Sequence, residues 1–103
     1  MPTLHTVNKS PFERNSLDTC LSVCKPGASV LLIEDAVVGA LENTSISSQI
    51  LDAVRSGVKI YALNEDLKAR GLPQTRLINQ IIIVDYAGFV DLAVKNTKVQ
   101  SWL

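Results

Sequence analysis

Residues 29–33 read SVLLI and residues 80–84 read QIIIV. Half-wet strands alternate polar and apolar side chains, and these runs do not. They predict strands covered on both faces, as in parallel sheets sandwiched by helices. The pattern around them alternates strand and helix. Residues 3–7 (TLHTV) form a short β-rich run. Within residues 11–25, Leu17, Cys20, Leu21 and Cys24 recur at i, i+3, i+4 and i+7, which predicts a helix stopped by Pro26 and Gly27. Beyond SVLLI, Asp35 is expected to cap a short helix reaching Leu41. Ile46, Ile50, Leu51 and Val54 mark the next helical stripe, closed by Gly57. VKIYAL at residues 58–63 reads as a third strand, residues 65–70 as a short helix ended by Gly71, and QIIIV as a fourth strand. Asp85 opens a last helix whose expected apolar face is Tyr86, Phe89, Val90 and Ala93, and VQSWL predicts a fifth strand. The expected fold is a single three-layer α/β/α domain over residues 1–103, with a mainly parallel sheet of about five strands.

Composition narrows the function classes. Of 103 residues, 47% are hydrophobic and 19% charged, and the 10 basic and 10 acidic side chains cancel. That balance argues against disorder. No apolar run approaches the roughly 20 residues of a membrane-crossing helix. Residues 1–9 alternate polar and apolar side chains where a secretory leader would be continuously apolar, so the cytosol is the expected compartment. Lys and Arg are scattered singly, which does not build a phosphate-tracking surface, and no direct nucleic-acid partner is expected. A sheet this small leaves edges and apolar faces uncovered, so association with itself or with other chains is expected.

Parallel sheets place ligand sites beyond the carboxyl ends of their strands. Asn8-Lys9-Ser10, Glu34-Asp35, Asn64-Glu65-Asp66 and Asp85-Tyr86 converge there. These acids could suggest a metal site, but each stands at a predicted helix start, and capping is the expected role. No phosphate-binding glycine loop and no nucleophile elbow follows any strand, so neither a cofactor nor a metal is expected. His5 reads as a hydrogen-bonded, partly buried structural imidazole. Cys20 and Cys24 lack the further Cys or His pair that a zinc site needs, and a reducing cytosol disfavours a structural disulfide. Their helical stripe with Leu17 and Leu21 places both toward the core. Cys20 is the thiol that a helix dipole could activate if solvent reached it.

Four blocks carry a resemblance: TLHTVNKSPFERNSLDTC (residues 3–20), SVLLIEDAV (29–37), YALNEDLKARGL (61–72) and DYAGFVDLAVKN with VQSWL (85–96 and 99–103). Together they resemble the DsrH/TusB family of sulfur-relay subunits across the whole chain. The resemblance implies a DsrE/DsrF/DsrH-like fold. It implies a heterohexamer with homologous DsrE/TusD-like and DsrF/TusC-like subunits, and a DsrC/TusE-like protein as sulfur acceptor. It also implies persulfide transfer serving either sulfur oxidation or 2-thiolation of the tRNA wobble uridine. Cys20, in the context NSLDTC, matches a cysteine of the DsrH branch and becomes the candidate persulfide carrier. Cys24 matches no motif of the family. The principal sulfur-accepting cysteine of the complex has no counterpart after the third strand, where Asn64-Glu65-Asp66 stands. The resemblance thus implies a transfer subunit rather than a stand-alone enzyme, with a purely structural subunit as the alternative.

Overall fold

A computed structural model describes residues 2–103. Five strands, β1 (Thr3–Val7), β2 (Ser29–Leu32), β3 (Lys59–Leu63), β4 (Ile82–Val84) and β5 (Lys98–Trp102), form one sheet in the order β4-β3-β2-β1-β5. Every pairing is parallel. The all-apolar SVLLI run is the central strand, and all four residues of β2 are buried. β5 lies beside β1 in a register that sets Trp102 opposite Val7. Thr6 Oγ1 and Ser101 Oγ meet across this pair at 3.3 Å, and the Ser16 hydroxyl donates to the Leu103 carbonyl at 2.9 Å. The chain end is therefore docked, although the Leu103 side chain, expected to be buried with it, faces solvent.

The two faces of the sheet are covered unequally. Val7, Val30, Leu32, Ile60 and Ala62 pack under α1 (Ser16–Val23), a 3-10 helix (Glu34–Ala40), α2 (Ser47–Arg55) and α3 (Asn64–Ala69). The other face carries Leu4 and Leu31, and the helix packed there is α4 (Tyr86–Lys95), through Leu92, Phe89 and Ala93. Each fully buried leucine or isoleucine of the larger core contributes roughly 1.5–3 kcal/mol. Gly88 lets α4 start close to the sheet, since a Cβ there would lie 3.0 Å from the Val84 Cβ. Among the described residues, no helix is long and apolar enough to cross a membrane.

Several boundaries differ from the sequence reading for identifiable reasons. α1 begins at Ser16 rather than Pro11, because the Ser10 carbonyl accepts the N–H groups of Glu13 and Arg14 and closes a separate turn first. It ends at Val23. Cys24 is already extended (φ −66, ψ 138), next to Lys25, the residue that Pro26 keeps out of the helical region. Residues 34–40 coil as a 3-10 helix preceded by Ile33, and Asp35 makes no capping bond. QIIIV yields only a three-residue strand, at the sheet edge, with Ile82 exposed. The apolar residues of α4 also split into two stripes. Phe89, Leu92 and Ala93 face the sheet, whereas Tyr86 (56% exposed), Val90 (60%) and Val94 (78%) face outward. The expected face thus mixed residues of both stripes.

Trp102 joins the closing strand to the larger core while only half-buried. Trp102→Ala is therefore expected to cost about 2–3 kcal/mol in chemical denaturation, below the span for a fully buried aromatic. Because β5 is an edge strand, hydrogen exchange should show protection at the alternate amides of residues 99–102 that face β1, and free-peptide exchange at all of them would contradict the docked tail.

Candidate thiol site

β1 carries His5 at its middle, with the ring turned toward the helix-covered face. α1 passes above it and lowers Cys20 onto the same spot. Leu17, Cys20 and Leu21 form the buried stripe of that helix, and Cys20 has no exposed surface. Cys24, one turn further on, leaves the helix and is half-buried rather than in the core, because α1 has ended before it. The two Sγ atoms are 4.0 Å apart. A ring nitrogen of His5 and both sulfurs lie within 4.8 Å of one another. The site thus draws on residues 5, 20 and 24, one from the strand, one from the buried stripe of α1 and one from the extended segment just past its end.

Trp102 fixes the imidazole. Its indole Nε1–H donates to His5 Nδ1 at 3.0 Å, with ring centroids 6.1 Å apart and planes tilted by 44°. In the neutral ring, Nδ1 is then the acceptor and Nε2 carries the proton. Burial, and secondly the Lys98 charge, hold the His5 pKa below its ordinary value, so the ring is neutral near pH 7. This agrees with the structural imidazole read from the sequence. The bond to Trp102, a residue 97 positions away, had only an indirect signal there, in the match of the two β-rich ends of the chain.

The two thiols differ in character. Either thiol can donate in the contact between the two sulfurs, but toward a Cys24 thiolate the donor is Cys20, and this bond together with desolvation pushes the Cys20 pKa well up. Cys24 receives that hydrogen bond, which favours its thiolate and lowers its pKa, with partial burial opposing. Cys24 also lines a surface cleft of about 340 Å³ with Asp18, Ser22, Gln49, Asp52 and Ser56. Asp52 there is paired with Arg55 at 3.2 Å. Two sulfurs and an imidazole already engaged by Trp102 supply three donors, where a closed zinc site takes four. The chemistry such a set favours is thiolate attack on sulfur.

Asp85 caps its own helix, whereas Asp66 and Glu65 accept first-turn N–H groups of neighbouring helices rather than of their own. Asp85 accepts the Gly88 N–H at 2.8 Å. Asp66 instead reaches across to accept the Glu34 N–H at 2.7 Å, and Glu34 takes φ 50 there. Arg70 ties Asp35 (2.8 Å) and Asp66 (3.6 Å) together, and a Glu65 carboxylate oxygen accepts the Tyr86 N–H at 3.5 Å. These carboxylates cross-link loops that the strand ends bring side by side, a long-range pairing that helix-start patterns do not encode.

The family described as "DsrH like protein" matches residues 9–99. The chain belongs to the DsrH/TusB family. It is 38% identical to Protein TusB of Escherichia coli O81 (strain ED1a) over 100 residues, 96% of this chain and 99% of that one. Protein TusB of Shigella flexneri is 37% identical over the same coverage. The fold resembles the crystal structure of ychN protein from E. coli, with a TM-score of 0.78 and 17% identity, covering 99% of this chain and 100% of that one. A protein of unknown function from Methanobacterium thermoautotrophicum, MTH1491, gives a TM-score of 0.74 at 13% identity over 96% and 97% of the two chains. The α/β fold expected of this DsrH/TusB member is the fold it has.

A depressed histidine pKa has a defined effect on stability. The unfolded chain binds a proton at His5 near pH 6.5, the folded chain only at lower pH. The contribution is therefore fully present above 6.5 and is lost as the pH falls from there through the folded pKa. Unfolding free energy should decline as the pH falls through about 6.5, and the decline should flatten in His5→Gln. Equal slopes in the two proteins would show that His5 is not desolvated as described.

Proposed function

We propose that this chain is a subunit of a cytosolic sulfur-relay complex, assembled with DsrE/TusD-like and DsrF/TusC-like subunits into a heterohexamer, and that it carries persulfide sulfur on Cys20. The sulfur then passes to a DsrC/TusE-like acceptor protein, toward sulfur oxidation or tRNA wobble-uridine 2-thiolation. One observation carries this reading for a DsrH/TusB member. The cysteine matched by the family context NSLDTC stands in sulfur contact with a second free cysteine that lines a surface cleft. A carrier needs little besides an activated thiol and shielding from other thiols. Cys24 supplies the first, its pKa lowered while that of Cys20 is raised, and the burial of Cys20 supplies the second.

Assembly has its own support. With α4 alone on one sheet face, Tyr86, Val90 and Val94 form an outward apolar stripe at i, i+4 and i+8. A further subunit burying these three side chains would gain several kcal/mol at roughly 25 cal/mol per Å². The burial of Cys20 favours a second reading, in which the subunit is architectural and both cysteines only fill space.

Treatment of the assembled complex with a persulfide donor, followed by alkylation and fragment-ion mass spectrometry, separates the two readings. A carrier acquires one sulfur, found on Cys20, whereas an architectural subunit acquires none. For assembly, Val90→Asp is expected to leave the isolated chain folded and to abolish co-elution with the homologous subunits. Undiminished hexamer formation by that variant would remove α4 from the contact.

A further inference from the structure

We propose that Cys24 is the receiving thiol of this subunit, taking sulfane sulfur from a persulfide donor in the adjoining cleft and passing it directly to Cys20. This rests on the carrier reading above and goes beyond it by giving a role to a cysteine that the family resemblance leaves unassigned. Access decides which thiol meets the donor. Cys20 is 0% exposed beneath α1, so a donor does not reach it while the helix stays packed, whereas Cys24 is half-buried at the cleft wall. Distance decides whether transfer can be direct. The sulfurs stand 4.0 Å apart. In-line transfer passes through two partial bonds, each longer than a full S–S bond of about 2.05 Å, so the sulfurs must part beyond about 4.1 Å, a movement on the order of 1 Å from their present contact.

Both steps are exchanges of one S–S bond for another. In the first, the Cys24 thiolate attacks the outer sulfur of the donor R–S–SH. The Cys24 S–S bond forms, the donor S–S bond breaks, and the donor leaves as R–S⁻ with the perthiol proton kept on the transferred sulfur. In the second, Cys20 Sγ attacks that same outer sulfur. The Cys20 S–S bond forms and the Cys24 S–S bond breaks, leaving its electron pair on Cys24 Sγ. The Cys20 proton is released as its S–S bond forms and ends on Cys24 Sγ, which the broken bond leaves as a thiolate. The transferred sulfur keeps its oxidation level, so neither oxidant nor reductant enters. The result is a persulfide shielded under α1, beside His5, and the reverse exchange through Cys24 returns the sulfur to the cleft for the acceptor.

Rapid-quench labelling of the full chain, alone and with its partner subunits, tests this with cysteine persulfide as the probe. The wild type should show sulfur on Cys24 first and on Cys20 later. Cys24→Ser should load Cys20 at least about tenfold more slowly, and Cys20→Ser should load Cys24 at the wild-type rate and hold the sulfur there. Cys24→Ala repeats the measurement without a hydroxyl at the position, and circular dichroism verifies that each variant is folded. If both Cys24 variants load Cys20 at the wild-type rate, the receiving role is overturned and the carrier reading survives. If the wild type acquires sulfur on neither cysteine, both are overturned.

Discussion

The hydrogen bond from Trp102 to His5 ties the last strand of the chain to the first, and the organisation of the thiol site depends on it. β1 is an interior strand only because β5 lies beside it. Without β5, one flank of His5 would open to water, and the imidazole would lose both its desolvation and its fixed tautomer. Cys20 and Cys24 rest above this ring, so the last residues of the chain govern the environment of a site built near its beginning. Ser16 reinforces the link by holding the Leu103 carbonyl at the start of the helix that carries Cys20 and leads into Cys24.

The unequal covering of the sheet follows from the same layout. One face receives α1, α2, α3 and the 3-10 helix and closes into the larger core, with the thiols at one side of it. The other face receives α4, whose inner residues are used on the sheet and whose outer stripe remains apolar. The thiols thus lie on one side of the sheet and an exposed apolar stripe on the other. That division suits a chain whose work is done within an assembly.

Much of the fold was legible in the sequence because parallel strands advertise themselves. SVLLI reads as a central strand on burial alone, and the VQSWL run carries too much apolar bulk for a frayed end. What was not legible depends on partners distant in sequence. QIIIV has the same composition as a central strand, yet its position in the sheet order leaves it at the edge. Asp66 stands where a helix cap would stand, but the neighbouring loop offers it the Glu34 N–H at a better place. For the site, the helical stripe gave Cys20 its burial, and the proline downstream of Cys24 held the hint that Cys24 would leave that stripe. The approach of His5 to both sulfurs required the three-dimensional register of β1 under α1, which no local pattern contains.

Coupling between the two sulfurs is the central physical claim, because the buried thiol's proton is what makes the half-buried one reactive. Ultraviolet titration of thiolate absorbance in the folded chain measures it directly. One thiolate per chain should form below the ordinary cysteine range of about 8.5, with the second absent until far higher pH, and Cys20→Ala should return the first to the ordinary range. Two thiols titrating independently near the ordinary value, in the wild type and the variant alike, would contradict it.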